Sequence, residues 1–421
     1  MTRVTKVIWF LAATLSLMVF IYSRCPHPRN LVNTSLVKIS DESSEGYTLV
    51  TGIDYPMKSH NRITLIDQNG QEAQTWNVDF PTLYSQLDSQ LNLWVLGIDQ
   101  NPFPRRALKA GILKQYDWQG RELWQFNDPL MHSDFTLTPE GNITYLAFEV
   151  LNDKQTQEVR RELPHLKENM LLGDRIVEID PKTKKEIWSW SLNEDNLLLR
   201  LLKQRHVTYM FHDPKDSVEI AHANSIQYIE RNPLTQTPAY LVSLRNLQSI
   251  LLVERDTGKL LWQSSSNQFG TSHDATLLED EVLFFDNGNH LTNKSLSSYL
   301  RQINIRTNQE NILWPFPGMP GAQFFFSPIL SGVQKLRNGN LLVTEGTRGH
   351  IFELTPQGNI VWSYLPPRDE ENFYGPLKAV RYIYKARRYD SPVLAERIST
   401  MTRLKCQSCH YLNVLWNSWS L

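Results

Sequence analysis

The segment ILLVERDTGKLLW, Ile250–Trp262, is two apolar runs around a polar tip. Ile250–Val253 and Leu260–Trp262 carry the branched and aromatic side chains that suit a half-buried strand. Between them stand Asp256, Thr257 and Gly258. Asp bonds its own backbone and Gly tolerates positive φ, so this tip is built to turn. The segment reads as a β-hairpin that closes on a tryptophan. Five further segments follow the same plan: Ile63–Trp76, Leu113–Trp124, Ile176–Trp188, Ile303–Trp314 and Ile351–Trp362. Their closing tryptophans lie 48, 64, 74, 52 and 48 residues apart in chain order.

A second hairpin precedes most copies, at Tyr84–Gly97, Phe135–Phe148, Ile226–Leu244, Ala275–Asp286 and Gly332–Gly346. Two hairpins make a four-stranded sheet, and radial repetition of such sheets is a propeller. The predicted fold is all-β, a six-bladed β-propeller over residues 40–376, with an N-terminal membrane anchor helix. Each closing tryptophan is expected to wedge between neighbouring blades, filling the seam and offering its indole N–H. Excess length falls in two insertions, 152–174, charged and broken by Pro164, and 193–205, Leu-rich and helix-like.

The chain has 421 residues, is 41% hydrophobic and 21% charged, and carries a formal net charge of -1. That composition is globular, and it gives no basic face for nucleic acid. At the N-terminus Arg3 and Lys6 precede an apolar run, Val7–Tyr22. The run is somewhat short of the ~20 residues of a full span. No small-x-small cleavage site follows, since Ser23, Arg24 and Cys25 come next. Residues 1–30 therefore read as an uncleaved signal anchor, with a cleaved signal peptide as the alternative. The charge before the run favours export of the rest, against Arg24 and Arg29 behind it. Cysteines are three, Cys25, Cys406 and Cys409, too few for a disulfide framework. Cys406, Cys409 and His410 match a C-x-x-C-H haem-attachment pattern, but no cytochrome-sized domain surrounds them. A redox pair and two idle thiols are the other readings. Residues 377–421 read as a basic tail whose cations form a solvated helical face or meet anionic lipid.

Chemistry concentrates at strand ends. His132, His222 and His273 each open the second hairpin of a successive unit, Asn224 follows His222 by two residues, and Arg245 ends a strand of the same unit. Equivalent strand starts in a propeller point to one end of the central channel, so these side chains converge. A single histidine there is as readily a hydrogen-bonded core residue; three at matching places are harder to explain so. Three imidazoles suggest a metal first, but Arg245 would repel a cation. Arginine with imidazoles favours a tetrahedral oxyanion instead. The cluster holds no phosphate-binding glycine loop and no nucleophile-elbow serine, which leaves histidine as the best nucleophile.

The runs His222–Ser225 (HANS), Ser243–Asn246 (SLRN), Ser272–Asp274 (SHD) and Leu336–Glu353 (LRNGNLLVTEGTRGHIFE) together resemble the bacterial arylsulfotransferase family, over roughly residues 40 to 385. The resemblance implies a six-bladed periplasmic propeller. It implies transfer of a sulfuryl group from a phenolic sulfate ester to another phenol, with no nucleotide sulfate donor, metal or other cofactor. Carried over by position, His273 would be the transiently sulfated nucleophile. His222 and Arg245 would hold the sulfate oxygens with help from Asn224, His132 would be acid/base at the phenol oxygens, and Thr344 would line the same funnel. The expected partners are donor and acceptor phenols and, through the anchor, the inner membrane at its periplasmic face, with a homodimer as a further candidate. Two other readings stay open: a non-catalytic scaffold propeller, and a quinoprotein-like enzyme, for which eight blades would be needed.

Overall fold

In the computed structural model the Ile250–Trp262 hairpin forms the outer half of a four-stranded antiparallel sheet, and the same plan recurs in six sheets. Residues 36–53, 61–99, 109–204, 217–264, 269–288, 297–366 and 382–402 are described. Blade 1 runs outward as Tyr382–Ile383, Tyr47–Ile53, Asn61–Ile66, Glu72–Val78, and blade 2 as Thr82–Leu87, Leu93–Ile98, Ala110–Tyr116, Glu122–Asn127. Blade 3 is Met131–Leu137, Ile143–Val150, Met170–Asp180, Lys185–Ser191, and blade 4 is Ala223–Ile229, Ala239–Leu244, Ser249–Glu254, Leu260–Gln263. Blade 5 is Ser272–Leu278, Glu281–Asp286, Tyr299–Asn304, Glu310–Trp314; blade 6 is Gly332–Lys335, Leu341–Glu345, His350–Leu354, Ile360–Tyr364. The second strands Leu93–Ile98 and Ala239–Leu244 are buried along their whole length because both faces are covered by neighbouring blades, whereas the outer strand Glu122–Asn127 keeps only half-buried and exposed positions.

The tryptophans stitch the blades as expected. Trp76 donates its indole N–H to the Asp117 carbonyl at 3.0 Å, Trp124 to Pro181 at 2.7 Å, Trp262 to Asn308 Oδ1 at 2.9 Å, and Trp362 to the Gln68 carbonyl at 2.7 Å. Every acceptor sits at the hairpin tip of the next blade, and the Trp362 bond closes the ring from blade 6 to blade 1. Trp314 keeps the place without the bond, packed edge-on against Phe325 at 4.6 Å. In blade 3 the expectation needs correction. Trp190, not Trp188, donates to the next tip, at Gly258, over 2.9 Å. The two share one face of the strand by its two-residue period, and Trp188 stacks on Tyr240 of blade 4 instead, 5.2 Å away.

Both ring ends are closed by distant segments. Leu36–Ile39 adds an outer strand to blade 6, and Tyr382–Ile383 supplies the innermost strand of blade 1. The propeller unit therefore runs from Ser35 to Arg388, beyond the 40–376 read from the repeats. This also corrects the reading of the tail. Lys385 and Arg388 are buried, not on a solvated face. Lys385 Nζ lies 2.7 Å from Asp134 Oδ2 and 3.4 Å from Asp274 Oδ1, Arg387 grips both oxygens of Asp274, and Arg388 pairs with Glu353. Burying such cations is tolerated because each meets a carboxylate that is itself buried. Of the remaining unit, 389–402 is described, with a helix over 392–402. The expected anchor and Cys406, Cys409 and His410 lie outside the described residues; among those, no helix is long and apolar enough to cross a membrane.

The insertions form helix α1, Asp153–Glu162, opened by a reciprocal Asn152–Gln155 capping box, and helix α2, Leu197–Gln204, which buries Leu197, Leu198, Leu201 and Leu202. The strand Ser217–Glu219 then runs parallel to Met170–Asp180. It ends three residues before His222.

Candidate active site

Blade topology brings the candidate residues to one end of the propeller. His132 and His273 lie at the starts of the inner strands of blades 3 and 5, and His222 directly precedes that of blade 4. Arg245 follows the second strand of blade 4, which ends where the inner strand begins, and its backbone N–H donates to the His222 carbonyl at 3.0 Å. Tyr84 comes from the inner strand of blade 2, and Tyr384 directly follows that of blade 1.

His273 is 3% exposed. Its Nδ1 lies 2.6 Å from Oδ1 of Asn287, and its ring meets the Tyr384 ring edge-on at 6.3 Å. Burial, with the charge of Arg245 close by, pushes its pKa down to about 3. The imidazole is therefore neutral at physiological pH, and its remaining lone pair is available as a nucleophile. Asp274, the acid of the His-Asp pair, does not orient the ring. Its carboxylate takes Arg387, Lys385 and the Val333 N–H of blade 6. It is one of a series of side chains that accept from the next blade: Asp134 from Ile226, Ser225 from Ala275, Asp274 from Val333.

Arg245 is 4% exposed. Its Nη1 donates to Asn246 Oδ1 at 3.1 Å, while Nη2 has no acceptor among the described residues. Burial lowers its pKa to about 10, so it stays a cation at neutral pH. An unpartnered guanidinium N–H in a buried place costs free energy unless an anion arrives to accept it. Asn224 donates to the Ser272 carbonyl at 2.6 Å, and its own Oδ1 is likewise without a donor. His222 is the most open of the three histidines, with 28% of its side chain exposed, and Glu219 clasps its Nδ1. That leaves Nε2 directed away from the carboxylate.

His132 sits behind His222, the ring centroids 6.5 Å apart. It stacks on Phe148 at 4.0 Å, its Nδ1 lies 3.0 Å from Ser133 Oγ, and its Nε2 faces Asp174 Oδ1 at 3.2 Å. Thr344 lies on the second strand of blade 6, and its Oγ1 accepts the Ala386 N–H at 3.0 Å, so it fastens the closing segment beside the site. His273, Arg245 and His222 are thus brought within electrostatic reach of one another; His132 and Thr344 stand one layer out.

Four residues were not singled out by sequence reasoning. Glu219 belongs to a three-residue strand with no pattern to detect. Asn287 hides in Asp286-Asn287-Gly288, which reads as a plain turn. Tyr84 and Tyr384 look like ordinary strand aromatics. Tyr384 donates its hydroxyl to the Asn224 carbonyl, and Lys385 Nζ lies 4.3 Å above the Tyr84 ring. Burial raises both phenols above their ordinary pKa, so both remain neutral hydrogen-bonding groups.

One end of the six-bladed ring thus gathers a buried, neutral histidine and a buried arginine. Residues 109–366 match the family model described as "Arylsulfotransferase (ASST)", and the chain belongs to that family. No curated protein matches it. Among solved structures it is similar to a protein of unknown function from Bacteroides caccae, at 16% identity and TM-score 0.49, over 83% of this chain and 100% of that one. It is also similar to a putative 6-phosphogluconolactonase from Bacteroides fragilis (11%, TM-score 0.41, 83% and 99%). Virginiamycin B lyase from Staphylococcus aureus is a third (11%, TM-score 0.38, 73% and 74%).

Proposed function

We propose that this protein moves a sulfuryl group from a phenolic sulfate ester to a phenolic acceptor through a sulfo-histidine on His273, with no nucleotide sulfate donor. The observation that carries the reading is a neutral, buried imidazole beside a buried guanidinium whose Nη2 lacks an acceptor. In the first displacement His273 attacks sulfur. The N–S bond forms, the S–O bond to the aryl group breaks, and its electron pair leaves on the phenoxide. In the second, the acceptor phenol gives up its proton, its oxygen attacks sulfur, and the N–S pair returns to the ring. Arg245 spreads the charge on the equatorial oxygens. His222, in the doubly protonated form, donates Nδ1–H to Glu219 and Nε2–H to the same oxygens. His132, linked to Asp174, handles the phenol proton, and Asn224 Oδ1 accepts the hydroxyl of the incoming phenol. The proposed setting is the periplasmic face of the inner membrane, reached through a single-pass anchor at residues 7–22.

The test is incubation with an aryl sulfate alone, followed by peptide mass analysis at neutral or basic pH, because acid hydrolyses the N–S bond. One sulfuryl mass is expected on the peptide containing His273, and neither label nor phenol release in His273→Ala. A label on another residue, or an intact transfer rate in His273→Ala, overturns the reading.

A further inference from the structure

The partner of His273 is a neutral amide, and its orientation can be read without seeing a hydrogen. Asn287 is fully buried. Its Nδ2 lies 2.7 Å from the Ser327 carbonyl oxygen and 2.9 Å from that of Leu330. A carbonyl oxygen can only accept, so the end facing both must be the NH2 group. The other end, Oδ1, therefore faces His273 Nδ1 at 2.6 Å. An amide oxygen can only accept, so Nδ1 must carry a hydrogen. A neutral imidazole has one such hydrogen, which leaves Nε2 bare.

The amide is held rigidly. Asn287 donates its backbone N–H to Thr271 at 2.8 Å, and its carbonyl accepts the Ser298 hydroxyl at 3.1 Å. Asp286 Oδ1 accepts the N–H groups of Gly270 at 2.9 Å and Gly288 at 3.0 Å. The two glycines are in such close contact that a Cβ on Gly270 would lie 1.6 Å from the Gly288 carbonyl oxygen. Ser327 and Leu330 belong to the segment leading into blade 6, so the ring of blade 5 is set from its neighbour.

We propose that Asn287 is a positioning residue that fixes His273 as the Nδ1–H tautomer and so presents Nε2 as the atom that takes the sulfuryl group; this rests on the sulfo-histidine reading above. The choice of a neutral amide has a consequence. Attack through Nε2 forms the N–S bond while the proton stays on Nδ1, so the sulfated ring is a cation. A carboxylate behind Nδ1 would stabilise that cation and slow the return of the N–S electron pair to the ring. Asn287 sets the tautomer without adding that charge, and Asp274, the nearest acid in sequence, is kept occupied by Arg387 and Lys385.

The experiment uses the full chain with [15N]histidine and two-bond proton–nitrogen correlation spectra, His273 being assigned by its loss in His273→Asn. The groups facing the ring are Arg245, His222, Asp274 and Tyr384. The wild type is expected to show one His273 tautomer, protonated at Nδ1, across neutral and mildly basic pH. Asn287→Ala should give a mixture of tautomers and lower kcat about 100-fold. Asn287→Asp should keep the tautomer, move the acid limb of the kcat profile up by about one pH unit or more, and lower kcat more than it changes the donor KM. An Nε2–H ring in the wild type overturns the proposal, whether or not the variants fold. So does a single Nδ1–H ring in Asn287→Ala, or an unmoved acid limb in Asn287→Asp. A wild-type ring in the Nδ1–H form on an enzyme that never takes the sulfuryl label fails differently: the tautomer stands and the sulfo-histidine reading falls.

Discussion

Replacing His273 with Asn should remove a measurable part of the protein's acid sensitivity. Asn keeps a donor near the place of Nδ1 but does not titrate. In the folded protein the His273 pKa lies at about 3, against about 6.5 for an unfolded histidine. The folded value is the lower one. Below about pH 6.5 the unfolded chain therefore binds a proton that the folded chain refuses. The stability tied to this group is complete above that pH and is lost progressively as pH falls towards 3. Integrating between about pH 7.5 and pH 5 gives a loss of about 2 kcal/mol from this one side chain. A folded pKa one unit higher barely changes the figure, because the ring would still be neutral at pH 5. Groups common to both proteins cancel in the difference. Urea unfolding followed by tryptophan fluorescence suits a chain with 12 Trp. The wild type should lose about 2 kcal/mol more than His273→Asn between those two pH values. Equal losses within about 0.5 kcal/mol would mean that His273 is already protonated or solvated, and the neutral-nucleophile argument would fail with it.

Arg245→Lys should lower kcat/KM for aryl sulfate by at least about 100-fold, since an ammonium point charge does not replace a planar fork on two oxygens; steady-state phenol release measures it. Lys385→Met should strand the fully buried Asp134 without its counter-charge and cost about 3–5 kcal/mol in urea unfolding. Trp190→Phe should cost about 1 kcal/mol more than Trp188→Phe, because it leaves the Gly258 carbonyl without its donor, and thermal unfolding of the two variants side by side measures the difference.

The seams were legible because each tryptophan and the tip it touches are both written locally, one as a strand end and the other as an Asp/Gly turn. That the three histidines gather at one end was legible because His132, His222 and His273 occupy equivalent places in successive repeats. What escaped was non-local. Tyr382–Ile383 has no hairpin partner in sequence; its partner, Tyr47–Ile53, lies more than 300 residues earlier. Lys385 and Arg388 read as solvated because charge is normally kept in water, and only the buried Asp134, Asp274 and Glu353 make their burial tolerable. Trp188 and Trp190 could not be told apart, since a two-residue period puts both on one face. The role of Asn287 depends on carbonyls of Ser327 and Leu330, which no local pattern links to it.

The closing segment of blade 1 ties maturation of the chain to its completion. Residues 382–388 are among the last of the propeller to leave the ribosome, and they bring Tyr384 to the site and Lys385 and Arg387 to Asp134 and Asp274. A nascent chain that stops short of them has five complete blades, an open seam and two buried carboxylates with no cation. Such a chain lacks Tyr384 at the site and is electrostatically unstable. Synthesis delivers the counter-ions last, so the ring gains its acidic centre and the charges that neutralise it together only when the polypeptide has been made through Arg388.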